Sequence, residues 1–398
     1  MKYEFKMSKC KEPPAMCTIK HEQNFCTFAI RKPTYMPLRC GIIGLASAGK
    51  TTLFNCISNT RSDVHKASFA GSKSNLGVMN VPDQRLFDID KLIHSAKIIP
   101  TTIEMIDIPG LSKGGSRNEG NKFLADIRNV DALIHVLRCF DDPMMPHIEG
   151  SVDPVRDKEI IDLELQIRDL ESVEKKIVKV EKMVKNGEKD ARHALEVLTI
   201  YKDHLESFQS TRSAPVHKED KKHIEDLFLL TDKPVIYVCN VDDRSATSGN
   251  EFSQKFLDSV KNENAEVLIV AGKLEAEIAE LESAEDRIIF LADAGLSEPG
   301  MNRLVRSAFH LLDLQNFFTA GPKEVRAWTI KKGMTAPQAA GVIHSDLERG
   351  FIRAEVMKYE DFIRLGTEHA CREAGKLLIE GKNYIVADGD IMHIRFNV

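Results

Sequence analysis

The feature that most constrains this chain is the run Gly44-Leu45-Ala46-Ser47-Ala48-Gly49-Lys50-Thr51. It fits G-x-x-x-x-G-K-[ST] at every fixed position, between an apolar run, Cys40–Leu45, and a helix-like stretch, Lys50–Ser58. Glycines let the backbone curl until several N–H groups converge on one phosphate, and the helix behind adds its positive N-terminal end. Such a turn needs a strand to enter from and a helix to leave by, so an α/β layer is implied. On this reading Lys50 reaches the β- and γ-phosphates and Thr51 offers its hydroxyl to Mg2+, while Ser47, Ala48, Gly49 and Thr52 complete the cradle.

Further apolar runs of strand length occur at Thr102–Ile108, Ala132–Leu137, Pro234–Cys239 and Glu266–Ala271. Separated by helical stretches, they predict a parallel sheet covered on both faces. Two of them end in residues suited to a switch GTPase-like domain. Asp107-Ile108-Pro109-Gly110 places a carboxylate, Asp107, for Mg2+ and a backbone N–H, Gly110, for the γ-phosphate. Asn240-Val241-Asp242-Asp243 stands where a purine base is read: Asn240 orients the loop, and Asp243 can accept from guanine N1–H and its amino group. Val241 occupies the position of the usual base-covering lysine, and Lys273 follows the last strand as a remnant of a fifth motif.

Between the second and third of the runs after the phosphate loop lies a charged segment, about 157–210. Leu163, Ile167, Leu170, Ile177 and Val184 recur there at coiled-coil spacing, Asn186-Gly187 breaks the pattern, and a helix returns through Leu195, Leu198 and Leu205. An inserted antiparallel helical hairpin is expected, its charged outer face solvated or a partner-binding arm. Beyond Leu311 the texture changes to a compact α+β module: a strand at Glu324–Ile330, a helix capped by Thr335 with Pro337 in its first turn, and a hairpin pairing Tyr384–Val386 with Ile391–Phe396 across Asp388-Gly389. Residues 1–35 carry seven Lys or Arg and three Glu, with no apolar run. We expect a disordered leader there, with Met36 as the natural start.

Composition narrows the class. With Lys+Arg 55 against Asp+Glu 60, the net charge is -5, which argues against a globally basic nucleic-acid binder. No stretch approaches the roughly 18 apolar residues of a helical membrane span. Eight cysteines without paired spacing form no disulfide framework, so a reducing, cytoplasmic setting is expected.

Together these runs resemble the YchF family, the Obg-like ATPases among the TRAFAC-class P-loop NTPases. The likeness rests on the phosphate loop, Asp107–Leu111, His135–Phe140, Leu314–Gly321, Glu324–Ile330 and Phe396-Asn397-Val398, and it covers nearly all of 36–398. It implies a G domain over 36–312 with the helical hairpin inserted, and a ubiquitin-like (β-grasp) TGS domain over 313–398. It further implies a slow, Mg2+-dependent ATPase bound to ribosomes, at the large subunit, monomeric and cytoplasmic, with GTP the alternative substrate. A nucleotide-binding scaffold with little hydrolysis is the rival reading. Three departures bear on mechanism. Ala46 and Ser47 stand where the family carries Pro and Asn; Gly71 stands where its switch I Thr falls, with Ser72 or Ser74 nearby; and the base motif ends in Asp243 instead of Glu. Leu111, where Ras-like enzymes hold a water-orienting Gln, implies slow intrinsic turnover. Switch II, Lys113–Gly120, is glycine-rich and suited to reordering.

Weaker readings complete the inventory. Arg326, Lys331, Lys332, Arg349 and Arg353 offer RNA contacts through the C-terminal module, against a solvated face. Trp328 reads as core, Cys139 and Cys239 as inert packing residues, and His135 as a satisfied core histidine.

Overall fold

The structure, a computed structural model, describes residues 38–59, 75–109, 117–263 and 265–397. The leader expected over 1–35, Met36, the switch I positions Gly71, Ser72 and Ser74, and Gly110 to Ser116 lie outside them.

The first part of the chain runs β1 (Arg39–Ile43), α1 (Lys50–Asn59), β2 (Asn75–Asn80), α2 (Gln84–Ile93), β3 (Ile98–Ile99), β4 (Thr102–Asp107), α3 (Arg117–Arg128) and β5 (Ala132–Cys139). Two long helices follow, α4 (Pro154–Lys185) and α5 (Ala191–Glu206). Then come β6 (Val235–Val241), α6 (Glu251–Ser259), β7 (Glu266–Val270), α7 (Gly272–Glu280), α8 (Ala284–Asp293) and α9 (Gly300–Leu311). The strands form one sheet in the order β2-β4-β1-β5-β6-β7. Every residue of β5 and of β6 is buried, as near-continuous apolar runs require when helices cover both faces. β4, β1, β5, β6 and β7 are mutually parallel, so their C-terminal ends share one edge, where ligands of such sheets bind.

The sheet is not wholly parallel, which corrects the sequence reading. β2 pairs antiparallel with β4, from Asn75 opposite Asp107 to Asn80 opposite Thr102. As an edge strand it alternates between buried and partly exposed positions, so its run Asn-Leu-Gly-Val-Met-Asn lacks the continuous apolar signal.

The hairpin forms, with a different seam. Leu170, Val173, Ile177, Val180 and Val184 of α4 pack with Leu198, Tyr201 and Leu205 of α5. Leu163 and Ile167, expected on that seam, remain 41% and 45% exposed. Nearer its start α4 changes partner: Ile161 and Leu165 enter the core of the sheet, and the Asp169 carboxylate accepts from Leu230 N (2.8 Å), Thr231 N (2.8 Å) and Thr231 Oγ1 (2.7 Å). Gly187, at φ +82°, turns the chain where the break was expected.

The C-terminal run is β8 (Leu314–Ala320), β9 (Val325–Lys331), α10 (Ala336–Ile343), α11 (Ser345–Arg349), β10 (Phe351–Met357), α12 (Tyr359–Leu365), α13 (Glu368–Glu373), β11 (Leu378–Glu380) and β12 (Ile391–Phe396). β8 and β9 are an antiparallel pair, α10 packs across them, and β12 returns parallel beside β8, which is the β-grasp arrangement. Thr335 precedes α10, its N–H donating to Gln338 Oε1 (2.8 Å). The expected Asp-Gly hairpin is absent. Tyr384–Val386 forms no strand with β12, because its backbone pairs with the chain before α10: Ala336 N donates to Tyr384 O (2.8 Å) and Val386 N to Met334 O (3.0 Å). The fully buried Asp390 accepts from Ala387 N (2.9 Å) and Tyr384 Oη (2.6 Å) and pairs with Lys358 (2.6 Å). Asp388 accepts instead from Asn316 N (3.0 Å).

The second sheet, β11-β10-β12-β8-β9-β3, borrows its last strand from the first part of the chain. Ile98 and Ile99 pair with Val325 and Arg326, while Leu86 and Ile89 of α2 sink among Phe318, Val325 and Phe362. Arg85 closes this contact, pairing with both Asp83 (2.9 Å) and Asp388 (2.8 Å).

His135 in β5 is core, yet its Nε2 has no hydrogen-bond partner. Burial, helped by Lys158, pushes its pKa from 6.5 to about 3. An unfolded chain takes up this proton near pH 6.5 and the folded one resists it, so the contribution is complete above 6.5 and lost as pH falls toward 3. We expect His135→Leu to flatten the acid-side decline of the urea midpoint. Parallel pH profiles for the two proteins would refute this.

Candidate active site

The phosphate loop is shaped by three residues in left-handed backbone. Gly44 has φ +145°, Ser47 +62° and Gly49 +93°. A Cβ on Gly44 would lie 2.3 Å from Val136 O, and one on Gly49 would lie 2.1 Å from Asn240 Nδ2, so both positions exclude a side chain. The loop delivers the chain into α1 with Lys50 first, and Lys50 Nζ donates to Leu45 O (2.8 Å). Burial lowers the Lys50 pKa to about 8, with Asp107 opposing. A cation held in a dry, helix-headed turn is suited to a polyphosphate.

Asn240 ties the loop to two others. At the end of β6, its Nδ2 donates to Ala48 O (2.9 Å), and its Oδ1 accepts from Gly272 N (2.9 Å) at the start of α7. One carboxamide thus fixes the phosphate loop, the base loop and the turn after β7. Around them opens a cleft of about 720 Å³. Ser47, Gly49, Lys50, Thr51, Thr52, Asn240, Val241 and Asp243 line it; Ala48 is buried behind, held through its carbonyl. Gly110 lies outside the described residues. Lys273 also lines the cleft, its Nζ 3.6 Å from Asp243 Oδ2.

Thr51 Oγ1 donates to Asp107 Oδ2 (3.1 Å), while Asp107 Oδ1 is buried with no hydrogen-bond partner. An orphaned carboxylate oxygen beside a hydroxyl is a hard-oxygen donor set, which fits Mg2+. Thr51 and Asp107 are the residues that would hold it.

One wall was not anticipated. Phe140, Asp141, Asp142, Pro143 and Met145, after β5, face the base loop across the cleft. Arg138 holds them: Nε donates to Phe140 O (3.1 Å), Nη2 to Met145 O (2.7 Å), and the guanidinium stacks over the Phe140 ring at 4.7 Å. A fully buried arginine in an otherwise apolar strand was the available signal. Asp242 also lines the cleft and accepts from Ser245 Oγ (3.0 Å). Cys139 and Cys239 are buried; the hydrogen bond between them, with burial, holds the Cys139 thiol well above its usual pKa, so it stays inert.

Comparison with known proteins agrees with this geometry. The chain is 47% identical over 367 residues to the ribosome-binding ATPase YchF of Bacillus subtilis (strain 168), covering 91% of this chain and 100% of that one. The chain belongs to the YchF family. It is 43% identical over 365 residues to the ribosome-binding ATPase YchF of Escherichia coli O157:H7, again 91% of this chain and all of the other. Among solved structures, the Schizosaccharomyces pombe YchF GTPase superposes with a TM-score of 0.81 at 32% identity, over 92% of this chain and 100% of that one. A family model described as a 50S ribosome-binding GTPase matches residues 39–183, and the YchF GTPase C-terminal model, described as a protein of unknown function, matches 314–397. In this YchF family member, the phosphate loop and Asp107 fall in the first match and strands β8 to β12 of the β-grasp sheet in the second.

Asn240→Ala removes two buried hydrogen bonds and leaves Gly272 N–H without its acceptor. We expect a loss of about 2–4 kcal/mol in stability, read by urea unfolding, with nucleotide affinity at least tenfold weaker. Wild-type affinity would show that the three loops are not coupled through this side chain.

Proposed function

We propose that the protein is a Mg2+-dependent P-loop ATPase that converts ATP to ADP and phosphate slowly and uses the change as a conformational switch on the ribosome. The observation that carries this is the Asn240 bridge, which ties the phosphate loop, the base loop and the turn after β7 around one cleft, with the Thr51–Asp107 pair beside the phosphate loop. Lys50 neutralises β- and γ-phosphate oxygens, the loop N–H groups orient the phosphates, and Gly110 donates to the γ-phosphate as the attacking water displaces ADP. Mg2+, which Thr51 and Asp107 would hold, would supply positive charge to offset the charge that develops on the phosphate oxygens. Leu111 cannot polarise water, so turnover is slow.

Base choice turns on Asp243. A free carboxylate there favours guanine, because adenine N1 is an acceptor. Lys273 engages that carboxylate, and Val241 supplies no cation over the purine. ATP is the preferred reading, with GTP the alternative. The names of the relatives support ribosome binding; the description of the matched family model supports the large subunit. We place RNA contact in the β-grasp module, where Lys331 and Lys332 are exposed and Arg326 stacks on Trp328 at 3.8 Å. The domain limits we propose are 36–312, with the hairpin at about 157–210, and 313–398. Among the described residues no helix is long and apolar enough to cross a membrane. A cytoplasmic monomer is the working reading.

Single-turnover hydrolysis of ATP and GTP tests this. We expect ATP to be preferred, Lys50→Ala to slow phosphate release about 100-fold or more, and Lys273→Ala to shift preference toward GTP. Equal phosphate release from wild type and Lys50→Ala would overturn the enzyme reading in favour of a nucleotide-binding scaffold. A wide GTP preference in the wild type would overturn the choice of ATP.

A further inference from the structure

A second group of ligating side chains lies on the helical hairpin, away from the cleft. His193 stands in the first turn of α5, and Asp220 and His223 lie on the 3-10 segment Lys218–His223 packed beside that helix. A 3-10 helix has three residues per turn, so residues three apart eclipse, and Asp220 and His223 share a face. That face meets His193. Nε2 of His193 is 2.6 Å from Asp220 Oδ1, and the His193 and His223 rings meet edge to face with centroids 5.5 Å apart.

One ligand atom from each residue lies within 4.8 Å of the other two. His223 Nε2 is shielded from solvent and has no hydrogen-bond partner, an arrangement that costs free energy unless something accepts or donates there. Two imidazoles and a carboxylate suit a borderline divalent ion such as Zn2+, whereas Mg2+ and Ca2+ favour all-oxygen sets. Ligand atoms on one tetrahedral zinc sit about 3.3 Å apart, comparable with the 4.8 Å within which these three already lie. Glu196 Oε2, 3.8 Å from His193 Nδ1, adds a carboxylate at the rim. Of the nearby cations, Lys176 is paired with Asp226, and Lys222 opposes charge on both imidazoles.

We propose that His193, Asp220 and His223 form a metal site for a zinc-class divalent cation, which staples segment 218–223 to α5 beside the tip of the hairpin. The site is independent of the nucleotide cleft and needs no bound nucleotide to form. It joins a short segment with little core of its own to a long helix, where a metal bond adds what apolar burial does not.

The test uses the full chain, stripped by chelator and titrated with Zn2+ alone in excess Mg2+, then with Co2+ as a spectroscopic substitute. We expect one equivalent of tightly bound Zn2+, a Co2+ absorption spectrum of low-coordinate nitrogen–oxygen ligation, and a Tm that rises with Zn2+. His223→Gln and, separately, the exposed-site change His193→Asn should each weaken binding about tenfold or more and abolish the zinc-dependent rise in Tm, while ATP hydrolysis is unchanged. No tight equivalent in the wild type, or wild-type zinc affinity in either folded variant, would overturn the proposal.

Discussion

The carboxamide of Asn240 is the contact on which the nucleotide cleft depends. Three loops leave three different strands at the same edge of the sheet, and nothing in a parallel sheet alone holds their tips in register. Asn240 does so with one donor and one acceptor, each spent on a backbone group of another loop. Its buried position makes the bonds costly to lose. The absence of a Cβ at Gly49 is a consequence: any side chain there would occupy the space the amide fills.

The same sheet edge continues, through chain connectivity, to the second sheet. Asp107, facing Thr51, is paired in register with Asn75 at the start of β2. β2 leads within a few residues to α2, whose apolar face lies in the core of the β-grasp sheet. There Arg85, Asp83, Asp388 and Asn316 form a closed polar network, with Asn316 Nδ2 donating to Asp83 Oδ2 at 3.1 Å. The two sheets are therefore not beads on a string. A segment of the first is built into the second, and any rearrangement of β2 relative to Asp107 must be borne by that shared helix.

Much of this was legible in the sequence, for reasons that differ by element. The phosphate loop was readable because only glycine tolerates the backbone at 44 and 49. β5 and β6 were readable because strands buried on both faces must be apolar throughout. β2 was missed because an antiparallel edge strand shows no such run, and its pairing is decided by β4. The seam through Leu163 and Ile167 failed because periodicity identifies a face but not what it meets; the start of α4 meets the sheet and Asp169 meets a loop. The Asp388-Gly389 turn was read as a hairpin because the signal for the turn is local, whereas the pairing of Tyr384–Val386 with the chain before α10, and of β12 with β8 and β10, is decided by the tertiary structure. Of this wall, Phe140 closes the His135–Phe140 run, while Asp141 to Met145 carry no motif; the buried Arg138 was the physical signal for them.

Hydrogen exchange measured residue by residue on the full chain, with and without Mg2+-nucleotide, tests the central claim most directly. If Asn240 makes one site of three loops, nucleotide protects amides at 44–51, 240–243 and 271–273 together in the wild type. Protection confined to 44–51 would contradict the account.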